Sequence, residues 1–584
     1  MAVFIALLQA DDRPADPTLA KRLGGTVAFL GAPQTASSSD GALNVAYAGR
    51  GTGVAQSGAV TVAASGRLDD RAALAAALGV RPDLDVADLI LAAYGKWDAG
   101  LLDHLIGAFA FTLWDARERR LLAATDHFGV RPIHYGMTAG ALVVSTAIGP
   151  VRDCGRVDTD LDDAFIADFL TAGFSLDVAA TVHKGVRRLP PAHALVWTNI
   201  AIRIEPYWRV PGPSAPLRLA SRGAYAEAFR EAFFEAVRDR LPPTGPITIQ
   251  LSGGMDSPAI AAAARAILGA DAASARMRAH TVVYRGYPEE EGRFAQLVLE
   301  HLGLVGERWV AEDFLLRPAP PQSFLAGPQP DTVRELVPER AIVESAAAIG
   351  ATHLNGLGAD VLLWPPSYSP LTAIASGAWA PDAAMRHLRL VGELPPAGLK
   401  ATARHWLRPP DRLRPPPWLR TDLVRRSGLL ERLGAVQRGH WDDGPRAFHG
   451  PQWSQLAGRG DPGNTGLDLP VALPFMDVRL AALVAGIPAP MLRGKRILRE
   501  AMRSWLPQAI LTRPKTPLGR DVGAYVAAQP EVVERRLQRL ERSPALEGWV
   551  DLPRLRAAAR RLTVDDARGL ARCEALAIWL QSRR

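Results

Sequence analysis

The chain has 584 residues, 48% apolar and 22% charged. That is the make-up of an ordinary folded protein, and it is too long for one core, so two or more domains are expected. The net charge of +8 rests almost wholly on arginine, since only six of the 68 basic residues are lysine. The arginines are scattered rather than blocked, which argues against a nucleic-acid partner. The two cysteines, Cys154 and Cys573, lie far apart and form no Cys-x-x-Cys pair. Neither a zinc site nor a disulfide framework is expected, and a reducing cytoplasm fits. No apolar run has membrane-spanning length. The opening MAVFIALLQADDR lacks the basic flank and cleavage site of a signal peptide and reads as a first strand.

In chain order, strands are expected at 2–9, 59–66, 107–115, 119–126, 141–147 and 193–199, with helices at 70–79 and 86–97. This is a strand-rich α+β pattern. The stretch 207-YWRVPGPSAPLRLASRG-223 has no periodicity and reads as a linker. A helix follows at 224–241. Then come a strand at 246–251, a polar turn and an Ala-rich helix. A strand at 280–286, a helix at 290–303 and a strand at 351–356 complete the pattern. Strand and helix alternate, which predicts a parallel, doubly wound sheet. The segment 364–420 is dense in proline and reads as a surface excursion or wall.

The turn within 249-IQLSGGMDSPAIAAAARAI-267 is the most informative stretch. It lies between the C-terminal end of a buried strand and the N-terminus of a helix, where open parallel sheets bind ligands. Gly253 and Gly254 let the backbone turn tightly and offer bare N–H groups. Ser257 is expected to cap the helix and Pro258 to sit in its first turn. Helix N–H groups and hydroxyls there favour phosphate. Asp256 beside phosphate requires a cation, and a magnesium ion between them resolves the conflict. The spacing is not that of the Walker loop.

The string at 252–257 resembles the PP-loop of ATP pyrophosphatases, which split ATP between the α and β phosphates. The segment 354-LNGLGADVLL-363 resembles the second acidic loop of the asparagine synthetase superfamily, with Gly356, Gly358 and Asp360 in place. Glu291 resembles the acid that follows that fold's second strand. The runs 469–488, 495-KRILREAM-502 and 510-ILTRPKTPLG-519 resemble the family's C-terminal half. Residues 91–136 look like its glutaminase domain. The resemblance implies an α+β N-terminal domain of the Ntn-hydrolase type, an antiparallel sheet sandwich, over 1–205. A linker at 206–223 and an α/β PP-loop synthetase domain with a parallel sheet at 224–584 follow. ATP and Mg2+ are the implied cofactors. ATP would lie against Leu251, Ser252, Gly253, Gly254, Asp256, Ser257, Gly356, Gly358, Lys495 and Arg499. Asp256 and Asp360 would hold the metal, and Lys515 would join them as the catalytic cation.

Departures from the pattern narrow the expectation. A glutamine-hydrolysing member needs a cysteine where this sequence has Ala2. Arg67, in 65-SGRLDD-70, replaces the acid of the glutamine-holding segment, and Cys154 comes too late to substitute. The N-terminal domain is therefore expected to be an inert module. Leu357 stands where asparagine synthetases carry Glu and β-lactam synthetases Tyr, and Val361 follows Asp360 where a second acid is common. Conserved adenylation residues beside a rewritten acceptor site resemble the macrolactam synthetases that close lasso peptides. A precursor peptide, a leader peptidase and a leader-binding protein are the implied partners. Trp364, Trp379 and Trp418 would either offer flat apolar contacts to such a peptide or simply pin the long loop to the domain. An ammonia-using asparagine synthetase, a β-lactam synthetase and a non-catalytic nucleotide scaffold are the alternatives.

Overall fold

The computed structural model describes residues 2–9, 17–50, 52–138, 140–198, 201–210, 217–285, 290–315, 327–331, 337–364, 413–438, 444–514, 526–561 and 563–583. Its N-terminal strands are β1 (Ala2–Gln9), β2 (Gln34–Ser37), β3 (Leu43–Gly49), β4 (Thr52–Ser57), β5 (Val60–Leu68), β6 (Gly107–Asp115), β7 (Arg120–Thr125), β8 (His134–Thr138), β9 (Ala141–Ser145), β10 (Arg187–Arg188), β11 (His193–Trp197) and β12 (Ile202–Pro206). They form two six-stranded antiparallel sheets, ordered β10-β8-β9-β1-β3-β2 and β12-β11-β7-β6-β5-β4. β1 explains the layering. Its Phe4, Ala6 and Leu8 meet Ala63, Trp114 and Leu195 of the other sheet, whereas Val3, Ile5 and Leu7 pack with Leu23 and Val27 of helix Pro17–Val27. Both faces of the strand are buried, so its sequence is an unbroken apolar run rather than an alternation. Helices Arg71–Leu78 and Val86–Trp97 cover the outer face of the second sheet. The result is an α+β sandwich of the Ntn-hydrolase type.

The second half is built on β13 (Ile247–Gln250), β14 (Met277–Val283), β15 (Val305–Val310), β16 (Thr352–Leu354) and β17 (Val471–Ala472). They make one parallel sheet ordered β15-β14-β13-β16-β17. The chain winds outward from β13 to β15, then crosses back to add β16 and β17. The switch in direction falls between β13 and β16, so the loops leaving these two strands flank the crevice where such sheets bind ligands. Helix Asp256–Leu268 follows β13, and each residue from Ser257 to Ala264 is buried. Its alanines let it approach Phe229, Phe233 and the strands closely. The C-terminal helices gather around a separate core that includes Trp418, Leu570 and Trp579.

The described residues of the stretch read as a linker are docked rather than loose. Trp208 packs on the second core, the Leu217 N–H donates to Gly486 O at 2.8 Å, and helix Arg222–Arg238 starts two residues earlier than expected, capped by Ser221. Among the described residues, no helix is long and apolar enough to cross a membrane. Cys154 and Cys573 are both buried as free thiols.

Buried charge joins the two halves. Arg67 forks onto Asp69 at 2.6 and 3.2 Å. Arg240, at the end of its helix, reaches Asp477 at 3.0 Å and Asp69 at 3.4 Å, and donates to Met476 O at 2.9 Å. Asp69, Arg240 and Asp477 are all buried. Burial opposes ionisation of Asp477, but Arg240 and Arg479 outweigh it and hold the carboxyl well below the usual range. Asp477 also caps helix Val478–Gly486. A second buried pair, Arg131 and Asp461 at 2.5 Å, bridges the same interface, with Arg131 also donating to Ala2 O at 2.6 Å. Loss of one partner strands a buried charge at a cost of about 3–5 kcal/mol. Asp477→Ala and Arg240→Met are each expected to destabilise the chain by that order in urea unfolding, whereas Arg81→Met, on an exposed pair with Asp83, leaves the transition within about 0.5 kcal/mol of the parent.

Candidate nucleotide-loop and acidic-loop site

The polar turn after β13 folds back on itself. Leu251 is still in the sheet, its N–H donating to His280 O at 2.8 Å. The Ser252 N–H then donates to Ser257 Oγ at 2.9 Å, the two serine hydroxyls lie 3.2 Å apart, and the Gly254 N–H donates to Ser252 Oγ at 3.3 Å. Ser257 is therefore not the helix cap that the sequence suggested. Met255 occupies that position without a side-chain bond. Ser257, one residue inside the helix, is buried and closes the loop. The two glycines also differ. A β-carbon on Gly253 would lie 2.5 Å from Arg513 Nη1 and 2.9 Å from Glu291 O, whereas one on Gly254 would meet only Ser252 Oγ, at 3.2 Å. Gly253 is required by packing, against the backbone of Glu291 and the side chains of Phe294 and Arg513, rather than by a left-handed backbone.

The acidic loop leaves β16 beside it. The two loops lie side by side here: a β-carbon on Gly356 would sit in ordinary contact with Asp256 Cβ and Ser257 N, both at 3.4 Å. Gly358 holds φ +96°, a left-handed conformation that favours glycine, and starts the short helix Ala359–Leu362 carrying Asp360. Asp256 and Asp360 thus come from two loops on either side of the crevice, and they converge. Lys495 Nζ lies 2.5 Å from Asp256 Oδ2 and 2.8 Å from Asp360 Oδ1. Two carboxylates drawn to one cation form a donor set that suits a hard divalent ion. Among the described residues no group of three or more His, Cys, Asp or Glu could hold a metal, so phosphate and water oxygens would complete its shell.

The asparagine synthase family model matches residues 228–581, more than half of the chain. The chain belongs to the asparagine synthase family. A glutamine amidotransferase domain model matches residues 71–208. The chain is 29% identical over 177 residues to "Asparagine synthetase [glutamine-hydrolyzing] 3" of Bacillus subtilis, covering 30% of this chain and 28% of the relative. It is 32% identical over 181 residues to "Amidase chyE" of Penicillium rubens, covering 30% and 25%. It is 26% identical over 292 residues to "Carboxyethyl-arginine beta-lactam-synthase" of Streptomyces clavuligerus, covering 49% and 51%. The chain thus spans about a quarter to a half of the length of these relatives.

In this family member the remaining expected site residues fall as follows. Glu291 lies in the first turn of helix Glu290–Leu302, its carbonyl against Gly253. Arg499 is near enough to Asp256 to feel its charge, but burial lowers the pKa of its guanidinium. Its donors go to the carbonyls of Gly494 at 2.9 Å and Leu511 at 2.6 Å, so it braces the turn that carries Lys495. Leu357 and Val361 pack on the core. Lys515, Trp379 and nearly all of the proline-rich segment lie outside the described residues. Trp364 is half-exposed at the end of the acidic loop. Trp418 is not a cleft residue but a core one, 2% exposed and pressed against Gly569.

Several residues that shape the site went unread in the sequence. Asn355 donates to Gln250 Oε1 at 2.9 Å and accepts from the Leu357 N–H at 2.9 Å, and Gln250 donates to Glu339 Oε1 at 3.3 Å. Burial raises the pKa of Glu339. This chain of amides ties the acidic loop to the end of β13. Arg513 lies over the Phe294 ring at 4.3 Å and donates to Gly253 O at 2.5 Å, pinning the segment just before Lys515 to the nucleotide loop. The one available signal was position, since Gln250 and Asn355 are polar residues at the ends of buried parallel strands. Gly253→Ala is expected to destabilise the protein by about 1–3 kcal/mol through overpacking, measured by thermal unfolding. Gly254→Ala, which meets only a rotatable hydroxyl, is expected to cost less than about 1 kcal/mol.

Proposed function

We propose that the protein is an ATP-dependent carbon–nitrogen ligase that activates a carboxylate as an acyl-adenylate, releases pyrophosphate, and joins the acyl group to an amine with loss of AMP. The observation that carries this reading is the convergence of Asp256 and Asp360, from loops on either side of the switch crevice, on a single cation. ATP phosphates lie over the 252–257 loop, where helix N–H groups and two serine hydroxyls favour anions. Mg2+, held by Asp256 and Asp360, supplies positive charge to the phosphates. Lys515 is the proposed catalytic cation for the leaving groups.

The acceptor we propose is a peptide bearing both reacting groups, so that a side-chain carboxylate and the N-terminal amine close a macrolactam ring, as in lasso peptides. Leu357 supports this, because an apolar, only partly buried residue within the acidic loop suits a peptide chain better than ammonia. Holding both ends of one chain makes the second step effectively unimolecular. A precursor peptide with its leader peptidase and leader-binding protein are the partners this reading implies. The resemblance to a beta-lactam synthase over about half of both chains supports a β-lactam-type closure as the second reading. An asparagine-type amidation is weakened by Leu357. The N-terminal module is proposed to be inert toward glutamine, because Arg67, in the family's acid position, is bound to Asp69 within the buried interface.

Three outcomes test the proposal. Asp256→Asn and Asp360→Asn are each expected to abolish pyrophosphate release while keeping a native circular dichroism spectrum. Incubated with ATP, Mg2+ and its cognate peptide, the enzyme is expected to yield a product lighter by one water and resistant to aminopeptidase. Faster pyrophosphate release with free aspartate and ammonia would instead establish the asparagine-type reaction. Glutamine is expected to yield no glutamate in a coupled dehydrogenase assay.

A further inference from the structure

The position of Lys495 is held by more than its two ion pairs. Gly494 and Lys495 have φ values of 62° and 57°, so two successive residues take the left-handed conformation and the second carries a side chain. Such a residue is strained by about 1–3 kcal/mol and persists only where its surroundings over-determine it. Here they do. Arg499 clamps Gly494 O and Leu511 O, and Lys495 opens helix Arg496–Ala501. A lysine at a helix N-terminus also opposes the helix dipole. The backbone is bent, and a cation placed at an unfavourable helix end, to seat one ammonium between Asp256 and Asp360. Its side chain is only 14% exposed and that of Asp256 23%, so solvent screens the contact with Asp256 weakly.

Resting on the nucleotide reading above, we propose that Lys495 is a built-in competitor for the metal position, which makes a divalent ion enter with the nucleotide rather than alone. The two carboxylates that would hold Mg2+ are the ones that hold this ammonium. A bare divalent ion must take both carboxylates from the ammonium and brings it no anion in exchange. A metal–triphosphate complex brings that anion, so the ammonium transfers to a phosphate oxygen as the metal takes the carboxylates. Two ion pairs break and three ionic contacts form (metal to Asp256, metal to Asp360, ammonium to phosphate), with no change in protonation and no net charge left uncompensated. Lys495 is thus a positioning residue that sets binding order, and the strained turn beneath it is the part that moves.

The test uses the full chain, Mn2+ as the probe metal followed by its electron paramagnetic resonance signal, and α,β-methylene-ATP as the probe nucleotide, and needs no acceptor substrate. Parent protein is expected to bind Mn2+ alone at least about tenfold more weakly than in the presence of the nucleotide analogue. Lys495→Met is expected to move the two affinities in opposite directions, binding Mn2+ alone about tenfold or more tightly than the parent and the Mn2+–nucleotide complex about tenfold or more weakly. Lys495→Arg, which keeps the charge, is expected to bind Mn2+ alone as weakly as the parent. A merely structural lysine would weaken both affinities together. Unchanged Mn2+ affinity in Lys495→Met overturns the proposal. So does a parent protein that binds Mn2+ alone as tightly as with nucleotide, a result that stands even if the Met variant fails to fold. Failure of the parent to bind the nucleotide analogue at all would instead overturn the nucleotide reading itself.

Discussion

Arg240 links the two halves of the molecule to the site. Its guanidinium is buried and shared between Asp69 of the N-terminal sandwich and Asp477 of the synthetase half, and it also donates to the carbonyl of Met476. The Met476 side chain lies beneath Gly358, whose β-carbon would sit 3.2 Å from Met476 Cγ, and Gly358 starts the helix that carries Asp360. A charge contributed by the N-terminal sandwich therefore supports the floor of the acidic loop through three contacts. Buried ion pairs of this kind add little net stability over apolar packing, but they tolerate no change of partner, so they fix one relative placement of the two halves. That placement sets where the acidic loop faces the nucleotide loop.

The N-terminal sandwich contributes to the site in a second way. Arg131 of the β7–β8 connection meets Asp461, which caps the turn Pro462–Thr465 shortly before β17. Burial pushes the Asp461 carboxyl up to about 6 against the pull of Arg131. β17 is only two residues long and extends the parallel sheet beyond β16, where Ala472 O accepts from the Asn355 N–H at 3.0 Å. The far edge of the synthetase sheet is thus held from the other half of the chain. Position 67 fits this picture. An arginine there has become part of the interface, and its surroundings are those of a structural ion pair.

Some buried elements were legible from the sequence, whereas β3, whose Leu43 and Val45 enter one core and Ala46 and Ala48 another, was not. β1, β6 and helix Val86–Trp97 have the limits expected, because their runs are apolar and bounded by charged or glycine residues. β2 and β15 escaped notice because they are short edge strands with mostly exposed side chains, and β15 carries Glu307 and Arg308 at its centre. β14 begins at Met277, three residues earlier than read, since Arg278 broke the apolar pattern while pointing outward. Motif residues Asp256 and Asp360 were readable because spacing along the chain defines a loop. The bond from Lys495 to Asp256 spans 239 positions and that from Gln250 to Asn355 spans 105. No local pattern encodes such pairs. Ser257 was misassigned for a related reason, as a hydroxyl near a helix start has two backbone partners within reach and the tight return of the loop decided between them.

Helix Asp256–Leu268 has a consequence for how the protein responds to whatever it binds. Five of its eight buried residues are alanine, so it has few long side chains to swing into new rotamers and little slack in its packing. Such a helix behaves as a stator. Displacement within the crevice then falls to the opposite wall, made of a four-residue helix turn, a left-handed kink and a six-residue helix. In an amide hydrogen-exchange profile, the two walls that hold one ligand would report very different clocks.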